Sequence, residues 1–282
     1  MVVDIICPLY NAEKYIEQLH KSILMQKGIN LGEIRYILTE SKDDTEQILI
    51  NIDAKYRKIK KEEFSHSLSR EKEAFESNAD IIVFITQDVK IIRDDWLYNL
   101  TKDIQNGSVD ASYSRQLCDN NTIEKYTREC NYPEVSRIVS KDDIKKLGLK
   151  TFFFSDASSA IKRETFVELN GYDNKKLCIN EDMYIAHKLI TNGYKIKYCA
   201  ESEVIHSHEF TLKQYYDRYK DTGKFFKENS YLNNYKVNQA GGSMAIYVLK
   251  RAIQDKNWKV LIKYIPNMAV RFIGMKIGKV NG

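Results

Sequence analysis

Short apolar runs alternate with amphipathic segments over the first third of the chain. Brief apolar runs rich in β-branched residues read as buried strands of a parallel sheet, and a 3.6-residue period reads as a helix packed on it. Val2 to Cys7 is the first strand. Pro8 has no backbone donor, so the strand is expected to stop there, with Pro8-Leu9-Tyr10-Asn11 forming a loop at its carboxyl end. A helix is expected from Ala12 to Gln26, with Ile16, Leu19, Ile23 and Leu24 on one face. Strands follow at Ile34 to Leu38 and Tyr56 to Ile59, separated by a helix that Asp43 or Asp44 caps. Ser65 or Ser67 caps another helix, Leu68 to Ser77. Asp80 to Ile85 is a central strand that ends abruptly in Thr86-Gln87-Asp88. This βαβαβαβ rhythm predicts a doubly wound α/β domain, in which ligands collect beyond the carboxyl ends of the strands.

Further on, a helix is expected over Trp96 to Gln105 and a strand over Asp110 to Ser114. Asp119 to Lys150 is polar and rich in tyrosine and charge. It has no clean period beyond a short helix near Asp142 to Leu147, and is expected to be a variable, partly mobile segment over the site. Asp156 to Ile161 is a strand or its approach, and Arg163 to Leu169 a short helix. Asn180-Glu181-Asp182 opens a helix carrying Ile185, Leu189 and Ile190, which Asn192-Gly193 closes. Two short strands, Tyr194 to Tyr198 and Ser202 to Ile205, precede His206-Ser207-His208. Leu212 to Phe226 reads as a helix interrupted or bent near Gly223. From Ala240 to Lys279 apolar residues alternate with lysine and arginine around Trp258. Such segments favour an anionic membrane surface. The plainer expectation is a helical pair packed on the domain or on another subunit.

Composition narrows the class. The chain has 282 residues, 43% hydrophobic and 29% charged, as in a globular protein. A formal charge of +5 is too mild to imply nucleic acid but suits anionic partners. Five cysteines without paired spacing suggest a reducing, intracellular setting. Neither a signal peptide nor a membrane-spanning helix is expected. Glycine-rich dinucleotide and phosphate-loop signatures are missing, as are zinc spacings.

Candidate chemistry is carboxylate and imidazole. Asp88, at a strand end, can ligate a divalent metal between phosphates, or merely close a turn. Glu181 and Asp182 stand where acids are common for helix-dipole reasons alone. One of them can instead remove a proton from a hydroxyl, and its helix-terminal setting is expected to keep it ionised at pH 7. His206 and His208, if extended, face opposite ways, so one meets a metal or diphosphate while the other packs. His66 lies in a similar loop. Arg218 and Lys220 can clamp a diphosphate, or be exposed helix charges.

Taken in order, these motifs resemble the family 2 glycosyltransferases of the GT-A fold, over roughly Val2 to Phe226. The first match is the strand and loop Val3 to Asn11, which implies nucleoside contacts from Pro8, Tyr10 and Asn11. Glu40 falls where the family carries an acid near base or ribose, although Thr39-Glu40-Ser41 departs from the usual turn. Thr86-Gln87-Asp88 is similar to the metal-binding Asp-any-Asp motif with its first acid replaced. This variant, with Phe64 to Arg70, resembles the rhamnosyltransferase branch and places His66, Arg70 and Gln87 at the donor. Glu181-Asp182 matches the Glu-Asp motif, whose second acid is the catalytic base. The resemblance implies Mn²⁺ or Mg²⁺ on Asp88 and His206, diphosphate contacts from Arg218 and Lys220, and an acceptor side with Asp156 and Glu181.

The expected organisation is a nucleotide-binding half (about 1–114), an acceptor-side half (115–226) and a basic helical tail (227–282). The implied reaction is inverting transfer, from dTDP-L-rhamnose above all, to a lipid-linked glycan at the inner face of a membrane. A homodimer is open. A UDP-hexose donor, a glycoside hydrolase, a nucleotidyltransferase and a non-enzymatic binding module are the rival readings.

Overall fold

Alternation along each apolar run decides which core a side chain joins. In the computed structural model, which describes residues 1–236 and 240–281, the first elements are β1 (Val2–Leu9), α1 (Ile16–Leu24), β2 (Asn30–Thr39), α2 (Thr45–Asn51), β3 (Tyr56–Ile59), α3 (His66–Glu76), β4 (Ile81–Ile85) and β5 (Lys90–Ile91). Next come α4 (Trp96–Gln105), β6 (Ala111–Leu117), α5 (Ile123–Asn131), β7 (Arg137–Val139), α6 (Ile144–Leu147), β8 (Ser158–Lys162) and α7 (Arg163–Glu168). The chain closes with α8 (Glu181–Thr191), β9 (Ile196–Ile205), α9 (Leu212–Glu228), α10 (Ala240–Gln254) and α11 (Trp258–Asn281). Along β4, Ile81, Val83 and Ile85 enter the core on one face of the sheet, while Ile82 and Phe84 enter the core on the other. A strand buried on both faces needs this continuous apolar run.

The sheet runs β3-β2-β1-β4-β8-β6-β9-β5, with β7 paired to β9. Strands β3, β2, β1 and β4 are parallel, and β8 lies antiparallel between β4 and β6. The winding reverses between β1 and β4, so the crevice at their carboxyl ends is the topological switch point where ligands bind.

Several expectations need correction. Pro8 lies within β1, paired with Ile37 of β2. Pairing with β4 has already ended at Ile6, and proline is tolerated where a neighbour is missing. Leu24 is exposed rather than on the buried stripe of α1. The two strands expected after residue 194 are one, β9, which shifts register between Cys199 and Glu203 opposite β6. The polar middle carries α5, capped by Thr122, so it is not irregular. Ser65 caps α3 by accepting from Leu68 N at 2.9 Å.

Helix α9 runs unbroken through Gly223. That glycine gives room instead: a Cβ there would strike the Met275 carbonyl of α11, and Gly274 and Gly278 make the reciprocal approach to α9. Along α11, Val260, Tyr264, Asn267, Arg271, Gly274 and Gly278 are buried, at helical spacing. The opposite stripe, Trp258, Ile262, Ile265, Phe272 and Val280, is exposed. The tail therefore packs on the domain, against α5 and α9. Among the described residues, no helix is long and apolar enough to cross a membrane.

Candidate active site

The carboxyl ends of β1 and β4, the start of α8 and the chain after β9 enclose a cavity of about 550 Å³. Asp88 lies at its floor, and both histidines turn toward it. His206 Nε2 is 3.5 Å from Asp88 Oδ1, and His208 Nδ1 is 3.7 Å from Oδ2. The expectation that one histidine would pack away fails because β9 ends at Ile205, and strand alternation ends with it. Ligand atoms of Asp88, His206 and His208 lie within 4.8 Å of one another.

The protons are set by neighbours. His206 Nδ1 is 2.9 Å from Gln116 Oε1. The Gln116 amide donates to Ser155 Oγ at 2.8 Å, which fixes which end is oxygen. The Nδ1 proton therefore goes to Gln116, although Arg128 Nη2 stands 3.3 Å from the same nitrogen. The Nε2 lone pair is left facing Asp88. Burial pushes the His206 imidazolium down, and burial with its neighbour pushes His208 down to about 4. Burial opposes ionisation of Asp88, whereas a proton on His206, then one on His208, would draw its carboxyl well below the usual range. Two imidazole lone pairs beside a carboxylate repel unless a cation lies between them. The donor set fits a divalent metal, and Gln116 is the outer partner that orients one ligand.

Across the cavity a second cluster fixes the start of α8. Arg70 is 1% exposed. Its Nη1 donates to Glu181 Oε1 at 2.9 Å and to the His66 carbonyl at 3.1 Å, and its Nη2 to the Asp156 carbonyl at 3.3 Å. Asn180 precedes α8 in a left-handed conformation, φ 58°, a turn asparagine tolerates better than most residues. Asp182 follows at the cavity wall. Burial, then the charges of Glu181 and Asp156, push its carboxyl well above its ordinary range. This overturns the expectation that the helix terminus would lower it: two neighbouring acids and desolvation outweigh the dipole. Asp156 is itself 1% exposed, taking hydrogen bonds from Ser159 and Tyr172, both at 2.7 Å. It nonetheless lines the cavity, with its carboxylate held by those two hydroxyls.

The other predicted residues divide. Pro8, Tyr10, His66, Gln87 and Arg218 line the cavity. Gln87 grips the Tyr10 backbone at both ends, accepting from its N–H at 2.7 Å and donating to its carbonyl at 3.0 Å. Asn11 is exposed and accepts from Lys42 N at 3.0 Å, tying the loop after β1 to the loop after β2. Glu40 is exposed outside the lining. Lys220 also stays outside, because residues two apart on a helix do not share a face. Arg128, Tyr132, Gln116 and His208 line the cavity as well, and were not singled out as site residues or, for His208, as a ligand beside His206.

Residues 4–169 match the family model described as glycosyl transferase family 2, and the chain belongs to that family. Solved glycosyltransferases share its GT-A fold. Mannosyltransferase PcManGT from Pyrobaculum calidifontis, solved with GDP-Man and Mn²⁺, superposes with a TM-score of 0.63 over 99% of this chain and 86% of its own, at 15% identity. S. aureus TarS 1–349, solved with UDP-GlcNAc, gives 0.57 over 99% and 91%, at 14% identity. Within the family, the chain is similar almost end to end to two rhamnosyltransferases. It is 33% identical to the O-antigen chain rhamnosyltransferase RfbN of Salmonella typhimurium, over 99% of this chain and 90% of that one. It is 34% identical to the O-antigen chain rhamnosyltransferase WbaN of Salmonella anatum, over 98% and 88%.

Proposed function

We propose that the protein is an inverting glycosyltransferase that moves L-rhamnose from dTDP-L-rhamnose to a hydroxyl of a lipid-linked cell-surface polysaccharide intermediate. One observation carries the reaction: a metal-fitting trio, Asp88, His206 and His208, shares a cavity with Asp182. The two rhamnosyltransferase relatives support the donor.

Tyr10, braced by Gln87, and the floor of the cavity receive the nucleotide. Asp88, His206 and His208 would hold the metal, and two imidazoles suit Mn²⁺ better than Mg²⁺. Bound there, the ion offsets charge gathering on the departing diphosphate. Asp182 Oδ takes the proton of the acceptor hydroxyl as that oxygen attacks the anomeric carbon from the face opposite the leaving group. The bond to diphosphate breaks as the new glycosidic bond forms, so configuration inverts once. A carboxylate with a raised pKa is a stronger base than an ordinary one. Arg70 holds Glu181, and through it the first turn of α8, so Asp182 stays aimed at the cavity.

The exposed stripe of α11 supports attachment to an anionic membrane. Ile262 and Ile265 are 77% and 76% exposed, with Lys259 and Lys263 beside them. Such a surface would hold the protein at the cytoplasmic face, where a lipid-linked acceptor lies. The test is release of free nucleotide from a panel of nucleotide-sugars, with a lipid-linked glycan extract, in Mn²⁺ and in EDTA. Metal-dependent consumption of dTDP-rhamnose is expected. Preference for a UDP-hexose would overturn the donor, and affinity without turnover would favour a binding module.

A further inference from the structure

A second cavity, of about 340 Å³, opens on the far side of Asp182. It shares Asp182, Arg128, Arg218 and His208 with the first, but includes nothing from β1, β4 or α3. The nucleoside end of a donor has no wall there. Its outer wall is built by the tail: Arg271 of α11 reaches between Tyr215 and Tyr219 of α9, its guanidinium 4.2 Å and 5.3 Å from their ring centres. Arg271 is 8% exposed. Its Nη1 donates to Tyr219 Oη at 3.2 Å, while its Nε and Nη2 have no hydrogen-bond partner.

Buried guanidinium donors without acceptors are costly unless a ligand supplies the acceptor. The nearest acid does not fill that place. Glu124 Oε1 stands 3.8 Å from Arg271 Nη2 and accepts from Tyr215 Oη at 3.0 Å, while Glu124 Oε2 faces Arg128 Nε at 3.8 Å. Two arginines therefore flank one engaged carboxylate, and Arg218 lines the same chamber. Beyond Phe210 and Tyr215, a third cavity of about 310 Å³ continues along α11 past Ile262 and Pro266, with a mostly apolar lining. Catalytic carboxylate, cationic chamber and apolar groove thus follow one another toward the exposed face of the tail.

We infer that Arg271, with Arg218 and Arg128, forms an anion subsite for the phosphate groups of a lipid-linked acceptor, whose chain leaves along the α11 groove. The assignment rests on the glycosyltransferase reading above. It gives the tail a part in acceptor recognition: Arg271 supplies charge to the chamber only while α11 is docked on α9.

The test is calorimetric binding of farnesyl diphosphate to the full chain, in EDTA and without donor. Wild type is expected to bind it, and to bind farnesol at least tenfold more weakly. Arg271→Met, which keeps the apolar stem, should weaken farnesyl diphosphate by roughly 10- to 100-fold, the scale of lost charge-assisted hydrogen bonds. Arg271→Lys should keep much of the affinity, and dTDP affinity should stay within twofold in both variants. In wild type, farnesyl diphosphate and not dTDP should slow hydrogen exchange across residues 264–275, a readout that holds even where a variant fails to fold. Equal binding by Arg271→Met, or unaltered exchange in the tail, would overturn the subsite. Displacement of farnesyl diphosphate by stoichiometric dTDP would do so too, by placing the anion in the donor site. Failure to turn over dTDP-rhamnose beside intact farnesyl diphosphate binding would sink the donor assignment and leave the subsite standing.

Discussion

Replacing Arg70 by methionine should unfold the protein at markedly lower temperature and slow transfer together. The guanidinium is enclosed and makes four bonds to the elements around the cavity: Glu181 at 2.9 Å, the His66 carbonyl at 3.1 Å, His66 Nδ1 at 3.3 Å and the Asp156 carbonyl at 3.3 Å. Methionine fills much of the volume but leaves Glu181 buried without its cation, beside Asp182 and Asp156. Removing one partner of a buried pair costs about 3–5 kcal/mol. For a chain of this length each kcal/mol moves the midpoint roughly 2–4 °C, so a fall of roughly 6–20 °C is expected. The double variant Arg70→Met with Glu181→Gln removes both charges and should recover most of the loss, because the cost lies in the stranded carboxylate. The assay is thermal and urea unfolding of both singles and the double at one pH. A loss under about 1 kcal/mol for Arg70→Met, or a double variant no more stable than that single, would refute the reasoning.

Gln116→Leu should weaken Mn²⁺ binding roughly 10- to 100-fold by freeing the His206 ring, as read by titration of the folded protein; an unchanged affinity would remove Gln116 from the site. Burial raises the Asp156 carboxyl to about 6, so the folded state holds its proton more tightly than the unfolded chain. Its stabilising contribution is full below about pH 4 and is lost as pH rises through 6. The stability difference between wild type and Asp156→Asn should therefore drift across that window and flatten above it; a difference independent of pH would contradict the shift. Ile262→Gln with Ile265→Gln, both on the exposed stripe, should leave the melting temperature within a few degrees but weaken binding to vesicles rich in anionic lipid, an effect that salt deepens. Unchanged vesicle binding would make the tail a packing element only.

Much of the parallel half of the sheet was legible because its signals are local. Continuous apolar runs marked β1 and β4, and Ser65 and Thr86-Gln87-Asp88 marked their neighbours' ends. Asp88 and Asp182 could be named from a strand end and a helix start, with the family resemblance adding their roles. What was lost depends on contacts distant in sequence. Arg128 reaches Gln116 and His206 only because α5 folds across the end of β6. The helix signal was present in Thr122-Ile123-Glu124, a cap before an amphipathic stretch, but charge and tyrosine obscured it. The raised pKa of Asp182 comes from burial, then from Glu181 beside it and from Asp156, twenty-six residues away. Gly223 looked like a breaker, since nothing nearby reveals that α11 presses on it. Arg271 read as one more basic tail residue for the same reason.

The most direct test of the account is the rate of rhamnose transfer from dTDP-rhamnose by wild type and Asp182→Asn at saturating Mn²⁺, with dTDP affinity measured on both. Loss of a general base predicts a fall of roughly 10²- to 10⁴-fold with nucleotide binding intact. An Asp182→Asn protein that transfers rhamnose at the wild-type rate would contradict it.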